Sequence, residues 1–186
     1  MIWITRRPAV TDITKPQPRM PDPLAFVRQK LGFHPDPQQE RIFDPTVRSG
    51  LLRCTRRFGK STCVAALAVY KAVHEANRNV VILAPVKEQS SEFLRKTEQF
   101  LSRLGIRRKR DGIHKASLVL PNGSRIFTVA ATEEAARSYD AHLVVIDEAA
   151  RVDDSVHPRR SSVDCHQRRI HLDDDHSEGS YRSFLP

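Results

Sequence analysis

The sequence predicts an α/β domain with a mostly parallel central sheet flanked by helices, and three observations carry that expectation. Apolar runs of strand length alternate with helix-length amphipathic segments through the middle of the chain. Two of the runs, "NVVILAP" at 79–85 and "LVVID" at 143–147, are apolar on both faces, as strands buried inside a parallel sheet are. A Gly59-Lys60-Ser61 turn joins a further short apolar run to a helical one. In 186 residues an apolar fraction of 39% is enough for one core of ordinary size.

Taken in order, residues 1–24 hold Pro8, Pro16, Pro18, Pro21 and Pro23, which oppose helix and ladder pairing, so they are expected to form an extended arm. In "PLAFVRQKLGF" the spacing of Leu24, Phe26, Val27 and Leu31 fits one face of a short helix. A strand is expected in "GLLRCT" and a helix of small and aliphatic residues in "STCVAALAVYKAVHEAN". The strand "NVVILAP" is followed by the helix "EQSSEFLRKTEQFLSRLG", which Gly105 ends. In "SLVLPNGSRIFTVA" the pair Asn122-Gly123 tolerates positive φ at both turn positions and predicts a hairpin. Residues 25–155 are thus the folded domain. Residues 156–186 carry four of the eight histidines, few core residues and no alternating pattern, and are expected to be unstructured.

A net charge of +9 fits either a polyanion partner or a solvated basic surface, and charge alone does not choose between them. The run Arg107–Arg110 is open to the same two readings. No segment approaches the roughly 18 apolar residues of a spanning helix, and the first residues lack a signal-peptide pattern, so a cytoplasmic protein with no membrane partner is expected. Cys54, Cys63 and Cys165 suggest neither a disulfide framework nor a thiolate zinc site. Cys165, His166, His171 and His176 with Asp173–Asp175 also lack metal-ligand spacing.

The chemistry concentrates at the strand ends. A strand, a glycine bend and a helix aim backbone N–H groups and a helix N-terminus at an anion, so "RRFGKST", Arg56 through Thr62, reads as a phosphate loop. In that setting Lys60 reaches the terminal phosphates of ATP and Ser61 holds Mg²⁺. Leu143–Ile146 deliver Asp147 to the carboxyl edge of the sheet, opposite Ser61 in the magnesium shell, and Glu148 is placed to orient or deprotonate an attacking water. Arg56 or Arg57 could neutralise charge on the γ-phosphate, with Arg57 the better candidate for a surface residue.

These residues resemble the ATPase domain of the large terminase subunit, the motor that packages viral DNA, whose phosphate loop opens with arginine in place of glycine. "TRRFGKS" fits that departure. "PDPQQ" resembles the adenine-recognising segment, with Gln39 at the glutamine position and Gln38 where an aromatic often stands. "VILAPVKEQSSEF", "LPNGSRIFTVAATEEAARSYDA" and "LVVIDEAARVDD" resemble, in order, the strand and helix after the loop, the hairpin and arginine turn, and Walker B with its catalytic glutamate; Ser138 replaces a common glycine. The resemblance covers about residues 33–154 and implies a P-loop NTPase of the ASCE type acting on double-stranded DNA. It further implies a portal protein and a terminase small subunit as partners, and a homo-oligomer at full length.

The same resemblance implies a C-terminal nuclease domain and a Thr/Ser-rich coupling strand that the chain does not contain. Read one nucleotide later, the degenerate codons of Cys165–Phe184 permit a string like that coupling segment, with Thr-Thr-Pro-Lys-Gly at its end; those of Arg160–Val163 permit Val-Arg-Pro-Leu. A frameshift near Asp154–Val156 is therefore expected. The rival readings are a truncated remnant that at most binds nucleotide, and a different P-loop enzyme such as a helicase. A helicase predicts a glycine-opened loop and downstream motifs that the sequence lacks.

Overall fold

The computed structural model describes residues 2–6, 20–47, 49–53, 58–84, 87–109, 116–132, 140–149, 152 and, as backbone, 169–173. Its strands are β1 (Ile2–Arg6), β2 (Ser49–Arg53), β3 (Asn79–Ala84), β4 (Ser117–Val119), β5 (Arg125–Ala130), β6 (Leu143–Asp147) and β7 (Arg169–Asp173). Its helices are α1 (Pro23–Gln29), α2 (Pro37–Glu40), α3 (Lys60–His74) and α4 (Lys87–Arg103), with a 3₁₀ turn at Arg41–Phe43. The strands form one sheet in the order β4-β5-β3-β6-β1-β2-β7.

The sheet is α/β as expected, but mixed. The pairs β5/β3, β3/β6 and β2/β7 are parallel, whereas β4/β5, β6/β1 and β1/β2 are antiparallel. Both additions to the expected sheet come from segments assigned no regular structure. The arm begins with β1, because Ile2-Trp3-Ile4-Thr5 alternates and buries Ile2 and Ile4 before the first proline at Pro8. Within the tail, Arg-Ile-His-Leu-Asp also alternates and joins β2 as a parallel edge strand. The rest of 156–186, and the frameshift proposed for it, lie outside the described residues.

Alternation along the strands sorts the core onto two faces. Ile2, Ile4, Val80, Ile82, Ile126, Leu143 and Val145 pack with α1, α3 and α4 in the larger cluster. Val81, Leu83, Phe127 and Ile146 form a second cluster with Ala141, Ala149 and Val152. Helix α3 is almost wholly enclosed: Cys63 through Tyr70 are all buried. Its small side chains, Ala65, Ala66, Ala68 and Ala72, allow close approach to the sheet.

The hairpin forms where expected, with a different turn. Gly123 has φ +81°, but Asn122 does not have positive φ. Gly123 N–H donates to Leu120 O (3.0 Å) and Leu120 N–H to Ser124 O (2.9 Å). Pro121 has no N–H with which to complete the hydrogen-bonded pair with Ser124 that a two-residue mirror-image turn at Asn122-Gly123 requires, and the bonds that form instead close a type I turn with a left-handed glycine.

Candidate nucleotide site

Strand β2 ends at Arg53, and the chain is described again from Phe58, so the arginine positions Arg56 and Arg57 lie outside the described residues. Gly59 stands at the N-cap of α3 with φ +82° and ψ 12°, a left-handed conformation that strains any side chain but glycine. Its carbonyl accepts from Thr62 N–H (2.9 Å) and Cys63 N–H (3.0 Å), which starts the helix directly at Lys60. Lys60, Ser61 and Thr62 are therefore the first turn of a 15-residue helix, the end that carries the positive pole of its dipole. All three are half-buried, as are Phe58 and Gly59.

Gln39 reaches this loop from another part of the chain. Asp36 caps α2 by accepting from Gln38 N–H (3.0 Å) and Gln39 N–H (2.8 Å), and its own N–H donates to Gln39 Oε1 (3.1 Å). The reciprocal box fixes the Gln39 carboxamide, whose Nε2 donates to Phe58 O (2.7 Å). A Cβ on Gly59 would lie 3.2 Å from that Nε2, a tight contact that would press on the Gln39 carboxamide, so packing adds to the demand that φ makes for glycine. The resemblance implies an adenine role for Gln39; in the fold its side chain bonds the backbone of the turn before α3.

Across the sheet, β6 carries Asp147 to the same edge. The Asp147 carboxyl is pushed above the usual carboxylate range by burial, against the opposing pull of Glu148 N–H (2.9 Å to Oδ1) and the positive charge of Lys60. Lys60 and Asp147, 87 positions apart, are thus close enough for the lysine's charge to act on the carboxyl, as the smallest of the influences on it. Glu148 follows with φ +49°, a conformation costly for a residue with a side chain and common at functional sites. Nothing in the sequence signalled that strain, and nothing but the alternation of residues 2–5 hinted that β1 lies between the two halves, with Ile2 paired to both Asp147 and Leu52.

Hard oxygen donors suit Mg²⁺, which binds through one or two side chains together with substrate phosphates. Ser61 and Asp147 supply one hydroxyl and one carboxylate, and no cluster of three His, Cys, Asp or Glu that would suggest another metal occurs among the described residues. In the basic run, Arg108 pairs with Glu98 (3.4 Å), and the Lys109 backbone bridges to Val119. No helix among the described residues is long and apolar enough to cross a membrane.

A family described as the helicase domain of the RNA cytidine acetyltransferase NAT10/TcmA matches residues 51–159, which include both the loop and the β6 acids. Two solved structures share the fold. A point mutant of the large terminase ATPase domain of Thermus phage P74-26 aligns with a TM-score of 0.62 at 18% identity, over 73% of this chain and 62% of that one. The same phage's large terminase ATPase domain aligns with a TM-score of 0.54 at 16% identity, over 64% and 55%. The chain thus spans less than two thirds of either domain. No curated protein matches the chain.

Proposed function

The chain belongs to the NAT10/TcmA helicase-domain family, whose P-loop fold it shares with large terminase ATPase domains, and from that premise we propose that it is an ATP-binding and hydrolysing motor domain. The observation that carries the reading is that Lys60, at the N-terminus of α3, and Asp147 and Glu148, at the end of β6, stand on one edge of one sheet. This edge has the parts that phosphoryl transfer to water needs.

The triphosphate of ATP lies along the first turn of α3, where the N–H groups after Gly59 and the Lys60 ammonium offset its charge. Ser61 and Asp147 would hold Mg²⁺, which would supply positive charge against the phosphates. Glu148 accepts a proton from the water that attacks the γ-phosphorus, the bond to the β–γ bridging oxygen breaks, and ADP and inorganic phosphate leave. Arg56 supplies a further cation to the γ-phosphate, and Arg57 is the better candidate for a surface residue. Gln39 holds the loop and lies where an adenine ring would meet it.

Within that reading the substrate of the motor is double-stranded DNA and the process is packaging, supported by the arginine-opened loop and the terminase-like fold. Portal and small-subunit partners and assembly into a homo-oligomer follow from the same reading. A second reading, nucleic-acid unwinding, is favoured by the helicase-domain match over residues 51–159. Phosphate release by the purified chain, with Lys60→Ala as control, tests the activity: turnover equal to the variant's leaves only a nucleotide-binding remnant. Stimulation by blunt duplex DNA supports the packaging reading. Strand separation of a tailed duplex would support the helicase reading instead.

A further inference from the structure

Three segments far apart in sequence must come together to make this edge: β2, which leads into the phosphate loop; β6, which ends in Asp147; and residues 36–44, which carry Gln39. All three meet on β1. Trp3 pairs with Leu51 on one side and Ile146 on the other, and Ile4 with Gly50 and Val145. Among the described residues β2 and β6 make no ladder with each other; adjacent strands lie about 4.8 Å apart, so one intervening strand sets a spacing of about 10 Å between the two halves.

The third connection is Arg6. Its guanidinium donates to Asp44 O (2.9 Å) and Ile42 O (2.6 Å), just after the Gln39 helix. Burial lowers its pKa to about 10, which leaves it charged at neutral pH. The strand is held on both faces as well: Ile2 and Ile4 sit in the larger cluster, and Trp3 packs against the smaller one.

We propose that residues 2–6 act as a docked strand that assembles the nucleotide site, setting the spacing between the Lys60 and Asp147 halves and anchoring the Gln39 segment, so that docking of β1 and binding of ATP reinforce each other. This rests on the function proposed above for its nucleotide half alone. Linkage requires reciprocity: whatever factor undocking takes from ATP affinity, bound ATP returns to docking. Trp3 is the single tryptophan of the chain, so its emission reports β1 directly.

The test uses the full chain and Ile4→Asp, which places a charge at a position 6% exposed in the sheet. Trp3 emission should shift red, and amide exchange in β2 and β6 should speed by about tenfold or more while α3, β3 and β5 keep their protection. A peptide of residues 1–7 should restore the slow exchange of β2 and β6. Unchanged exchange in β2 and β6 alongside red-shifted Trp3 emission overturns the proposal. Should Ile4→Asp lose its helical circular dichroism, Arg6→Gln decides: faster exchange at 41–44 and in β2 supports the proposal, and no change in either overturns it. MgATP should slow exchange of β1 in the wild-type chain and bind about tenfold more weakly to Ile4→Asp. A wild-type chain that binds ATP but with β1 exchange unaltered overturns the coupling, whereas one that binds no ATP defeats the proposed function and leaves the exchange experiments to decide the strand's role.

Discussion

The two ends of the sheet use their polar groups in opposite ways. At the amino end of β3, β5 and β6 most of them bond to one another, Glu75 Oε2 and Arg78 Nε meeting as an ion pair without hydrogen-bond geometry. Asn122 Nδ2 donates to Ala72 O (2.7 Å), Ser124 Oγ to Glu75 O (2.7 Å), and Arg78 N–H to Ser124 Oγ (3.0 Å). Glu75 pairs with Arg78 (2.8 Å) and with Lys71, and Asn79 Nδ2 donates to Asp140 O (3.1 Å). The chain reverses there at Asn77, φ +57°, whose N–H donates to Asn122 O (3.1 Å). At the carboxyl end, Lys60, Ser61, Asp147 and Glu148 are half-buried around a helix N-terminus, with Asp147 disfavoured as an anion and Glu148 in a strained backbone conformation. One end closes α3 onto the sheet; the other leaves charge and backbone strain where the proposed nucleotide would bind. The difference teaches that stability and activity should respond to substitution at opposite ends.

Lys60→Ala should break that comparison most sharply, cutting phosphate release by about 10²–10³-fold while moving the melting temperature by no more than about 2 °C. At the other end Gly123→Ala should cost about 3 kcal/mol, since φ is +81° and the new Cβ would lie 2.1 Å from Asn77 Oδ1. Urea denaturation should show that loss with ATP affinity per folded molecule unchanged. Ser124→Ala removes a wholly buried hydroxyl that both donates and accepts, and should cost about 2 kcal/mol by the same measurement.

Glu148→Gly should sharpen the contrast, because relief of the φ strain raises stability by about 1 kcal/mol, or about 2–4 °C in melting temperature, while turnover is lost. The smallest effects are those of pH, with opposite signs at the two ends. Burial raises the folded pKa of Asp147 above 3.8, so the native state binds the proton more tightly; this group's penalty is full above the folded pKa and disappears as pH falls through it toward 3.8. Asp147→Asn should therefore melt higher than wild type at neutral pH, the gain vanishing near pH 3.8. Burial and the charge of Arg78 lower His142, whose ring accepts from Asn79 N–H (3.3 Å). Its stabilising contribution is present above pH 6.5 and lost as pH falls from there through the folded pKa, so His142→Gln should flatten the melting profile on the acid side of 6.5.

Much of the fold was legible because its signals are local. The periods of β3, α4 and β6, the glycine before Lys60, and the Asn122-Gly123 turn each show within a few residues. The mixed sheet was less legible. In the first residues the prolines after Pro8 outweighed four alternating positions, and in the tail charge and histidine content masked Ile170 and Leu172. Pro121 changed the hairpin's turn type through its missing N–H, a constraint that was present in the sequence.

By itself the sequence determined the candidate residues and their local settings: Lys60 and Ser61 opening a helix, Asp147 and Glu148 at the end of a strand, and Gln39 in a capped turn. Tertiary structure alone decided that Gln39 bonds the loop at Phe58, that burial raises Asp147, and that β1 lies between β2 and β6. The physical reason is range. Backbone period and capping act over one or two turns, whereas strand order and burial join residue 2 to residue 147, and no pattern within either segment records its partner.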